Sequence, residues 1–285
     1  MPLPEFDYLR PKSVGELTDL LVEHENDAKI FAGGTDLLVL MRDRIVRPKY
    51  LIDIKGIKEL HELSHNEGGL RIGAAVTLNQ LIESDVVKKR FRALWDAAKS
   101  MADPTLRNRA TLVGNICNAS PASDTAPALL VLDAEVEVVS KEGERAIPIQ
   151  EFFVWVKRTS LKPGELVKAV RIRNPSEGTK SGYLKWGRTR GEDLAVVGVA
   201  ALVRNSGKKL VRIALSSVAP TPLLVKEVEK ILEKCGSVEE QIERAVSIVT
   251  EKISPITDVR GGKEYRLHMA GVLTRRILRQ LLGVI

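Results

Sequence analysis

Two stretches rich in small residues carry the groups in this chain that could bind a phosphorylated ligand. One is the turn Ala32-Gly33-Gly34-Thr35-Asp36, and the other is residues 111–130, which combine Gly, Asn, Ser and Thr with Pro121 and Pro127. Residues 111–130 have neither helical nor strand periodicity, which predicts irregular turns with N–H groups and short side chains directed at something polar. An isolated Gly-Asn turn is usually only a connection. A long irregular stretch and a second small-residue turn together favour one shared ligand site.

The elements around the first turn predict where phosphate would bind. Residues 28–32 are apolar and predict a buried strand, residues 35–44 predict a helix ending in cations, and residues 50–54 predict a second strand. Such a parallel βαβ unit brings backbone N–H groups and a helix N-terminus to one point, which suits phosphate. The dinucleotide fingerprint G-x-G-x-x-G and the phosphate loop G-x-x-x-x-G-K-[ST] are both missing from the sequence.

Composition indicates a soluble globular protein of two or three domains. The chain has 285 residues, of which 44% are hydrophobic and 28% charged. Its first residues lack the basic and apolar regions of a signal peptide, and no apolar run is long enough to span a membrane. Two cysteines, Cys117 and Cys235, without a secretion signal predict a reducing, cytoplasmic setting.

The basic charge leaves a nucleic-acid-binding protein as one alternative. The formal net charge is +7, but the basic residues alternate with acidic ones in short groups. Aromatic residues make up 4% of the chain, too few for a surface on which bases stack. The charge is equally consistent with a solvated surface or with an acidic partner, and we expect no nucleic-acid binding.

The segment His61-Glu62-Leu63-Ser64-His65 matches the zinc-peptidase pattern H-E-x-x-H and leaves a second alternative. That pattern requires a helix, because both imidazoles must project from one face beside the Glu base. Gly56 precedes the segment, and Asn66-Glu67-Gly68-Gly69 follows it as a hairpin-type turn. The context therefore favours a surface turn or a short helix without metal.

Caps and patterns predict the remaining elements and an α+β fold. Ser13, Thr77, Ser84 and Ser237 are predicted N-caps, with the Ser84 helix running through residue 98. Residues 174–179 are polar, with Pro and Gly, and predict a linker. The predicted strands are 134–140, 166–172, 183–186, 195–203 and 210–218, and the predicted later helices are 221–236, one after Ser237, and 265–282.

Three motifs resemble those of the FAD-binding medium subunit of the molybdenum hydroxylases. That family includes carbon monoxide dehydrogenase, and the same module forms the flavin portion of xanthine dehydrogenase. The similarity extends nearly from end to end, and the separation of the two glycine-bearing motifs makes it specific. The motifs are Ile30-Phe31-Ala32-Gly33-Gly34-Thr35-Asp36-Leu37, Asp103-Pro104-Thr105-Leu106-Arg107-Asn108-Arg109-Ala110-Thr111-Leu112-Val113-Gly114-Asn115, and Ala119-Ser120-Pro121-Ala122-Ser123-Asp124.

The resemblance implies three structural parts. A small N-terminal α/β domain, a βαβ unit, would cover residues 1–56, and a middle α+β domain would cover residues 57–174. A C-terminal domain of three strands plus helices would cover residues 180–285. FAD would lie between the first two domains, with its isoalloxazine partly against the third.

The resemblance also implies which residues contact the cofactor. The first glycine motif would surround the pyrophosphate, residues 111–115 would face it from the middle domain, and Lys185 would lie near the flavin ring. It implies no metal ligand and no catalytic side chain. The cofactor-binding residues are Ile30, Phe31, Ala32, Gly33, Gly34, Thr35, Asp36, Leu37, Met101, Thr111, Leu112, Val113, Gly114, Asn115, Asp124, Val167 and Lys185.

Val113 departs from the family pattern, which has two glycines before the asparagine. If Val113 adopts a positive φ, the strain is of order 1–3 kcal/mol. Either the backbone differs locally or FAD is held more weakly than in the relatives.

The resemblance implies an electron-transfer role. In the family, a large molybdopterin-binding subunit oxidises the substrate, and electrons reach FAD through [2Fe-2S] clusters of a small subunit before an external acceptor takes them. The expected assembly is a dimer of heterotrimers.

Overall fold

Three short parallel strands form the first sheet of the structure. It is a computed structural model that describes residues 2–189, 193–204, 209–231 and 236–284. The strand order is β1-β3-β2, so the predicted parallel βαβ unit is confirmed and gains a strand at one edge. Its elements are β1 (Asp7–Leu9), α1 (Val14–His24), β2 (Ala28–Phe31), α2 (Leu37–Arg42) and β3 (Tyr50–Asp53).

A five-stranded antiparallel sheet follows, in which two hairpins are joined by two pairings with a later strand. The hairpin of β4 (Leu63–Asn66) and β5 (Gly69–Gly73) lies at one edge, and a later strand inserts between β5 and the next hairpin. The order is β4-β5-β10-β6-β7, and β8 and β9 form a separate small hairpin. The remaining strands are β6 (Glu135–Ser140), β7 (Gly143–Pro148), β8 (Phe153–Trp155), β9 (Arg158–Thr159) and β10 (Leu166–Ile172).

Short helices connect β5 to β6. Thr77 and Ser84 cap their helices as predicted, but the helix after Ser84 breaks at Phe91 rather than running on to residue 98. The φ of −121° and ψ of 51° at Phe91 end α4, while its ring is fully buried. These helices are α3 (Leu78–Glu83), α4 (Asp85–Arg90), α5 (Arg92–Ser100), α6 (Pro104–Arg107), α7 (Leu112–Cys117) and α8 (Thr125–Val131), and α9 (Ile149–Phe152) follows β7.

The prediction that residues 111–130 are irregular is wrong, because they contain α7 and all but the last residue of α8. Every residue of α8 is buried, Thr125 included. A helix enclosed on all sides has no polar face, so it leaves no amphipathic period in the sequence. The helices are also short, at six and seven residues.

The C-terminal part is an antiparallel sheet covered by two long helices. Ser237 forms a capping box with Glu240 at the start of the first, as predicted. The helix predicted at 221–236 is wrong: Leu223–Leu224 adds a short fourth strand, Lys226–Val228 is a 3-10 turn, and residues 232–235 lie outside the described ranges. The elements are β11 (Thr179–Trp186), β12 (Val197–Arg204), β13 (Leu210–Ser216), β14 (Leu223–Leu224), α10 (Val238–Lys252) and α11 (Lys263–Leu282).

The central strand of this last sheet is buried on both faces, which places it against the rest of the molecule. Val199 and Val203 pack in the core beneath α10 and α11, whereas Ala200 and Leu202 pack in the large core that contains α5 and α8. A strand covered on both faces is a continuous apolar run, which is how residues 195–203 read in the sequence. In the described ranges, no helix is long and apolar enough to cross a bilayer.

Candidate functional site

A cavity of about 570 Å³ lies where the two glycine-bearing stretches meet. Its lining combines the small residues of the two stretches with apolar side chains and a few charged ones. Phe31, Leu112, Asp124 and Lys185 of the expected set do not line it. The expected residues that do line it are Ile30, Ala32, Gly33, Gly34, Thr35, Asp36, Leu37, Met101, Thr111, Val113, Gly114, Asn115 and Val167.

The Gly33-Gly34 turn requires glycine at both positions. A Cβ on Gly33 would lie 2.1 Å from the carbonyl oxygen of Arg109, so this turn packs directly on the backbone that leads into α7. Gly34 has a φ of +73°, and a Cβ there would lie 2.1 Å from the Phe31 ring. The turn therefore has the close backbone approach and the left-handed conformation that only glycine combines at low cost.

Lys55 holds the end of β2 immediately before this turn. Its ammonium lies 3.8 Å from the centroid of the Phe31 ring and donates to the carbonyl of Ala32 at 3.2 Å and to Asp53 at 2.6 Å. Burial would raise the pKa of Asp53, but hydrogen bonds from Lys55 and Tyr8 outweigh it and hold that pKa below its usual value. The carboxylate stays charged and keeps Lys55 in place.

The start of α7 contributes an oriented amide to the same cavity. The Thr111 hydroxyl caps the helix by accepting from the Gly114 N–H at 2.9 Å. The Asn115 Oδ1 accepts from the hydroxyls of Ser123 and Thr125, each at 2.6 Å. With its oxygen engaged by two donors, Asn115 is left with its NH₂ group as the part available to a ligand.

Val113 is the second residue of α7 and has helical backbone geometry. The positive φ considered from the sequence does not occur, so the valine introduces no backbone strain. Its side chain is buried with 6% exposure in the large core. The weaker FAD binding considered from the sequence stays a prediction.

A chain of three side chains connects both stretches to the β8–β9 hairpin. Asn118 donates through its side-chain NH₂ to Asp36 at 2.8 Å, and the Lys157 ammonium donates to the Asn118 Oδ1 at 2.7 Å. The backbone N–H of Lys157 also donates to the Ala119 carbonyl at 2.9 Å. Asn118 lay inside the stretch singled out from the sequence, but no sequence signal indicated Lys157, which reaches the cavity only through tertiary structure.

Asp124 and Lys185 pair with each other behind the cavity wall. The Lys185 ammonium donates to Asp124 at 2.9 Å and to the carbonyl of Ser100 at 3.3 Å, and the Tyr183 hydroxyl donates to Asp124 at 2.8 Å. Asp124 is 4% exposed, and this burial raises its pKa. Through Lys185, the pair joins the C-terminal sheet to Ser100, the residue that precedes Met101.

Cys117 also lines the cavity, but it is no nucleophile. Burial raises the pKa of its thiol to about 12, so the thiol is protonated at neutral pH.

The H-E-x-x-H segment lacks the helix that a zinc site of that type requires. His61 ends a 3-10 turn (Lys58–His61), whereas His65 belongs to β4. The His61 ring contacts the Lys55 carbonyl at 2.9 Å, and the His65 ring contacts the Asn174 side chain at 2.7 Å. Within the described ranges, no cluster of three or more His, Cys, Asp or Glu side chains could hold a metal ion.

Comparison with known proteins accounts for nearly the whole chain. Residues 4–175 match the family described as the FAD binding domain in molybdopterin dehydrogenase, and residues 182–281 match the CO dehydrogenase flavoprotein C-terminal domain. The chain is 35% identical to the carbon monoxide dehydrogenase medium chain of Hydrogenophaga pseudoflava, over 96% of both proteins. It is 32% identical to the xanthine dehydrogenase FAD-binding subunit of Escherichia coli O157:H7, over 96% of this chain and 94% of that one.

The three-dimensional comparison agrees with the sequence comparison. Carbon monoxide dehydrogenase from Hydrogenophaga pseudoflava superposes with a TM-score of 0.95 at 35% identity, covering 100% of this chain and 99% of that chain. Quinoline 2-oxidoreductase from Pseudomonas putida 86 superposes with a TM-score of 0.91 at 29% identity, again covering 100% and 99%. The chain therefore belongs to the FAD-binding flavoprotein subunits of the molybdenum hydroxylases, a family of oxidoreductases, and its cofactor is FAD.

Proposed function

We propose that this chain is the electron-transfer subunit of a multi-subunit molybdenum-containing hydroxylase or dehydrogenase. It takes electrons from the [2Fe-2S] clusters of a partner subunit and passes them to an external acceptor. The observation that carries the proposal is the cavity at which the Gly33-Gly34 turn and the start of α7 meet. The full-length match to a protein named as a medium chain supports it.

The polar residues that line the cavity suit the diphosphate of FAD. In this proposal the backbone of Gly33 and Gly34, the hydroxyl of Thr35 and the NH₂ group of Asn115 hold the phosphate oxygens. These donors are neutral and surround a concave space, as phosphate-binding backbone segments do. The carboxylate of Asp36, which also lines the cavity, accepts from the Asn118 amide at 2.8 Å.

The apolar residues that line the cavity suit the ring systems of the cofactor. Ile30, Leu37, Met101, Leu161 and Val167 contribute to the lining. A volume of about 570 Å³ falls within the usual range for pockets that enclose a cofactor. In this proposal these side chains orient the rings and exclude water from them.

FAD supplies the ability to take up electrons and to release them to a different acceptor. The contribution of this chain is to bind, orient and shield the cofactor. The proposed domains are residues 1–56, 57–174 and 180–285, with FAD between the first two and the third close to the flavin ring through Lys185.

The chain needs partners to complete an electron path. Its two cysteines are too few for the four cysteine ligands of a [2Fe-2S] cluster. We propose one large molybdopterin-binding subunit and one small iron–sulfur subunit per copy, arranged as a dimer of heterotrimers.

The test is the identity of the bound flavin. We expect purified protein, reconstituted where necessary, to bind FAD more tightly than FMN, because two glycine-bearing segments converge on a diphosphate. Absorbance spectra and chromatography of the extracted cofactor measure this directly. Equal affinity for FMN would contradict the two-segment diphosphate site.

A further inference from the structure

The C-terminal end of α5 is held by an unusual set of donors. The last four carbonyl groups of a helix have no acceptor role within the helix itself and need other partners. Here the Ser100 hydroxyl donates to the Ala97 carbonyl at 2.9 Å, and the Met101 N–H donates to the Ala98 carbonyl at 3.3 Å. The next four carbonyls, those of residues 99–102, form a segment that we call the α5 turn.

Two cations bind all four carbonyl oxygens of the α5 turn. Arg107 Nη1 lies within hydrogen-bonding distance of the carbonyls of Lys99, Met101 and Ala102, at 3.0, 2.9 and 2.9 Å, and shares its two hydrogens among them. Lys185 donates to the remaining carbonyl, that of Ser100, at 3.3 Å. Positive charge at a helix C-terminus is favourable, because the helix dipole is negative there.

The α5 turn needs such support because its backbone is strained. Ala102 has a φ of +47°, in the left-handed region that a residue with a Cβ rarely adopts. A conformation of this kind persists only where surrounding contacts determine it. The residue beside Ala102 in this turn is Met101, which lines the cavity.

Both cations are themselves held in place from other elements. The Arg107 Nε donates to Asn79 Oδ1 at 3.3 Å, and the Asn79 amide donates to the Pro104 carbonyl at 2.9 Å, which ties α6 to α3. Lys185 is anchored by the buried carboxylate of Asp124 at 2.9 Å. The α5 turn is therefore fixed from α6 on one side and from the C-terminal sheet on the other.

We propose that Arg107, together with Lys185, is a positioning residue of the FAD site that acts through the α5 turn and Met101. The inference rests on the proposed placement of FAD in the cavity. Arg107 does not line that cavity. Its effect on cofactor binding is transmitted through the backbone rather than by contact.

The test is a double-mutant cycle of Arg107→Met and Met101→Ala, read out as the FAD dissociation constant of the full chain by flavin fluorescence quenching. We expect Arg107→Met alone to weaken binding about tenfold, which corresponds to about 1.4 kcal/mol. We expect its effect to shrink below about threefold in the Met101→Ala background, because residues acting through one contact are not additive. An undiminished effect in that background, or an affinity equal to wild type, would overturn the inference.

Lys99→Met is the matched control. It removes a cation from the same turn, but the Lys99 ammonium lies over the Trp95 ring at 4.7 Å and donates to none of the turn carbonyls in the contacts described above. We expect wild-type affinity from it. Arg107→Lys keeps the positive charge on a shorter side chain and should give an intermediate dissociation constant. If Arg107→Met does not fold, Arg107→Lys replaces it in the test.

Hydrogen exchange of the apo protein separates this inference from the proposed function. We expect amides of residues 99–103 to exchange faster in Arg107→Met than in wild type or Lys99→Met. If wild type bound no FAD but this difference appeared, the proposed function would be wrong while the role of Arg107 in fixing the turn would stand. Equal exchange in all three proteins would overturn the role of Arg107.

Discussion

At the scale of single residues, the cavity depends on positions where a small chemical change has a defined consequence. Gly34 combines a φ of +73° with contact to the Phe31 ring, and Asn115 has an orientation fixed by two hydroxyl donors. Gly34 allows the turn to adopt its conformation, and Asn115 presents its NH₂ group to the ligand. Each can be changed without removing a large side chain from the core.

Gly34→Val should abolish FAD retention while the chain still folds. A branched side chain at this φ is strained, and its Cβ would displace the Phe31 ring and alter the turn. Flavin content per protein by absorbance, with circular dichroism as the check on folding, measures the effect. Gly143→Val is the control, because Gly143 also has a positive φ, +138°, but nothing lies within 4 Å of its Cβ position. Equal flavin loss in both variants would mean that strain alone, rather than this turn, is responsible.

Asn115→Asp should weaken FAD binding by about tenfold to a hundredfold, or roughly 1.4–2.8 kcal/mol. The aspartate still accepts from Ser123 and Thr125, so the fold is retained, but it replaces an NH₂ donor with negative charge facing the cavity. Titration with FAD measures the dissociation constant. An unchanged constant would place the diphosphate elsewhere.

At the scale of elements, the loop before α11 is fixed by a buried cation. Arg266 is 1% exposed and donates to the carbonyls of Val196 and Ser217 at 2.7 and 3.1 Å and to Asp258 at 2.6 Å. It thus joins the first residues of α11 to the start of β12 and the end of β13. Side chains of this kind cannot be recognised as buried from sequence, since arginine is normally exposed.

Asp258 in the same loop should make the stability of the protein depend on pH. Burial would raise the pKa of Asp258, but hydrogen bonds from Arg260 and Arg266 outweigh it and hold that pKa well below its usual value. A depressed pKa adds stability above the unfolded value of about 3.9, and this stability is lost as the pH falls below it. We therefore expect the melting temperature to fall more between about pH 5 and pH 2.5 in wild type than in Asp258→Asn.

An exposed carboxylate provides the control for that measurement. Asp19 pairs with Lys141 at 2.8 Å, and both side chains are 62% exposed. Asp19→Asn should retain the acid sensitivity of wild type, because solvent-exposed pairs contribute little. If Asp258→Asn lost as much stability in acid as wild type, the Asp258 pair would not be the source of the effect.

At the scale of the whole molecule, the proposed function makes the chain one component of a complex whose substrate is oxidised on another subunit. We expect the isolated chain to be inert towards aldehydes, purines and carbon monoxide with an artificial dye as acceptor. We expect it to co-purify from its host with a large molybdopterin-binding and a small iron–sulfur subunit. Substrate-dependent bleaching of the flavin absorbance in that complex measures the electron path. Turnover by the isolated chain, or its purification without companions, would contradict the subunit role.

The metal content of the purified chain addresses the peptidase alternative. The H-E-x-x-H segment is divided between a 3-10 turn and a strand, so its two histidines do not share a helix face. We expect well under one zinc per chain by elemental analysis, and unchanged flavin content in the double variant His61→Ala, His65→Ala. Stoichiometric zinc that disappears in the double variant would revive that alternative.

The sequence alone determined the features that depend on local chemistry. The starts of three helices could be predicted from their N-cap residues, Ser13, Thr77 and Ser237. A hydroxyl at an N-cap accepts a hydrogen bond from the backbone N–H three residues later. The apolar runs at β3 and β12 were read correctly because a strand buried on both faces has a continuous apolar pattern. The glycine motifs and their separation were enough to identify the family, and most of the residues expected at the cofactor line one cavity.

Tertiary structure decided the features that depend on distant segments. The helix α8 could not be predicted, because a helix that is buried on every side has no periodic pattern of polar residues. Val113 has a helical backbone, whereas a positive φ was considered from the sequence. Lys157 reaches the cavity from a hairpin far along the chain, and Asp124 and Lys185, expected at the cofactor, lie behind its wall as an ion pair. Local propensity carries no information about which buried charges will meet, because that pairing is set by how distant helices and sheets pack together.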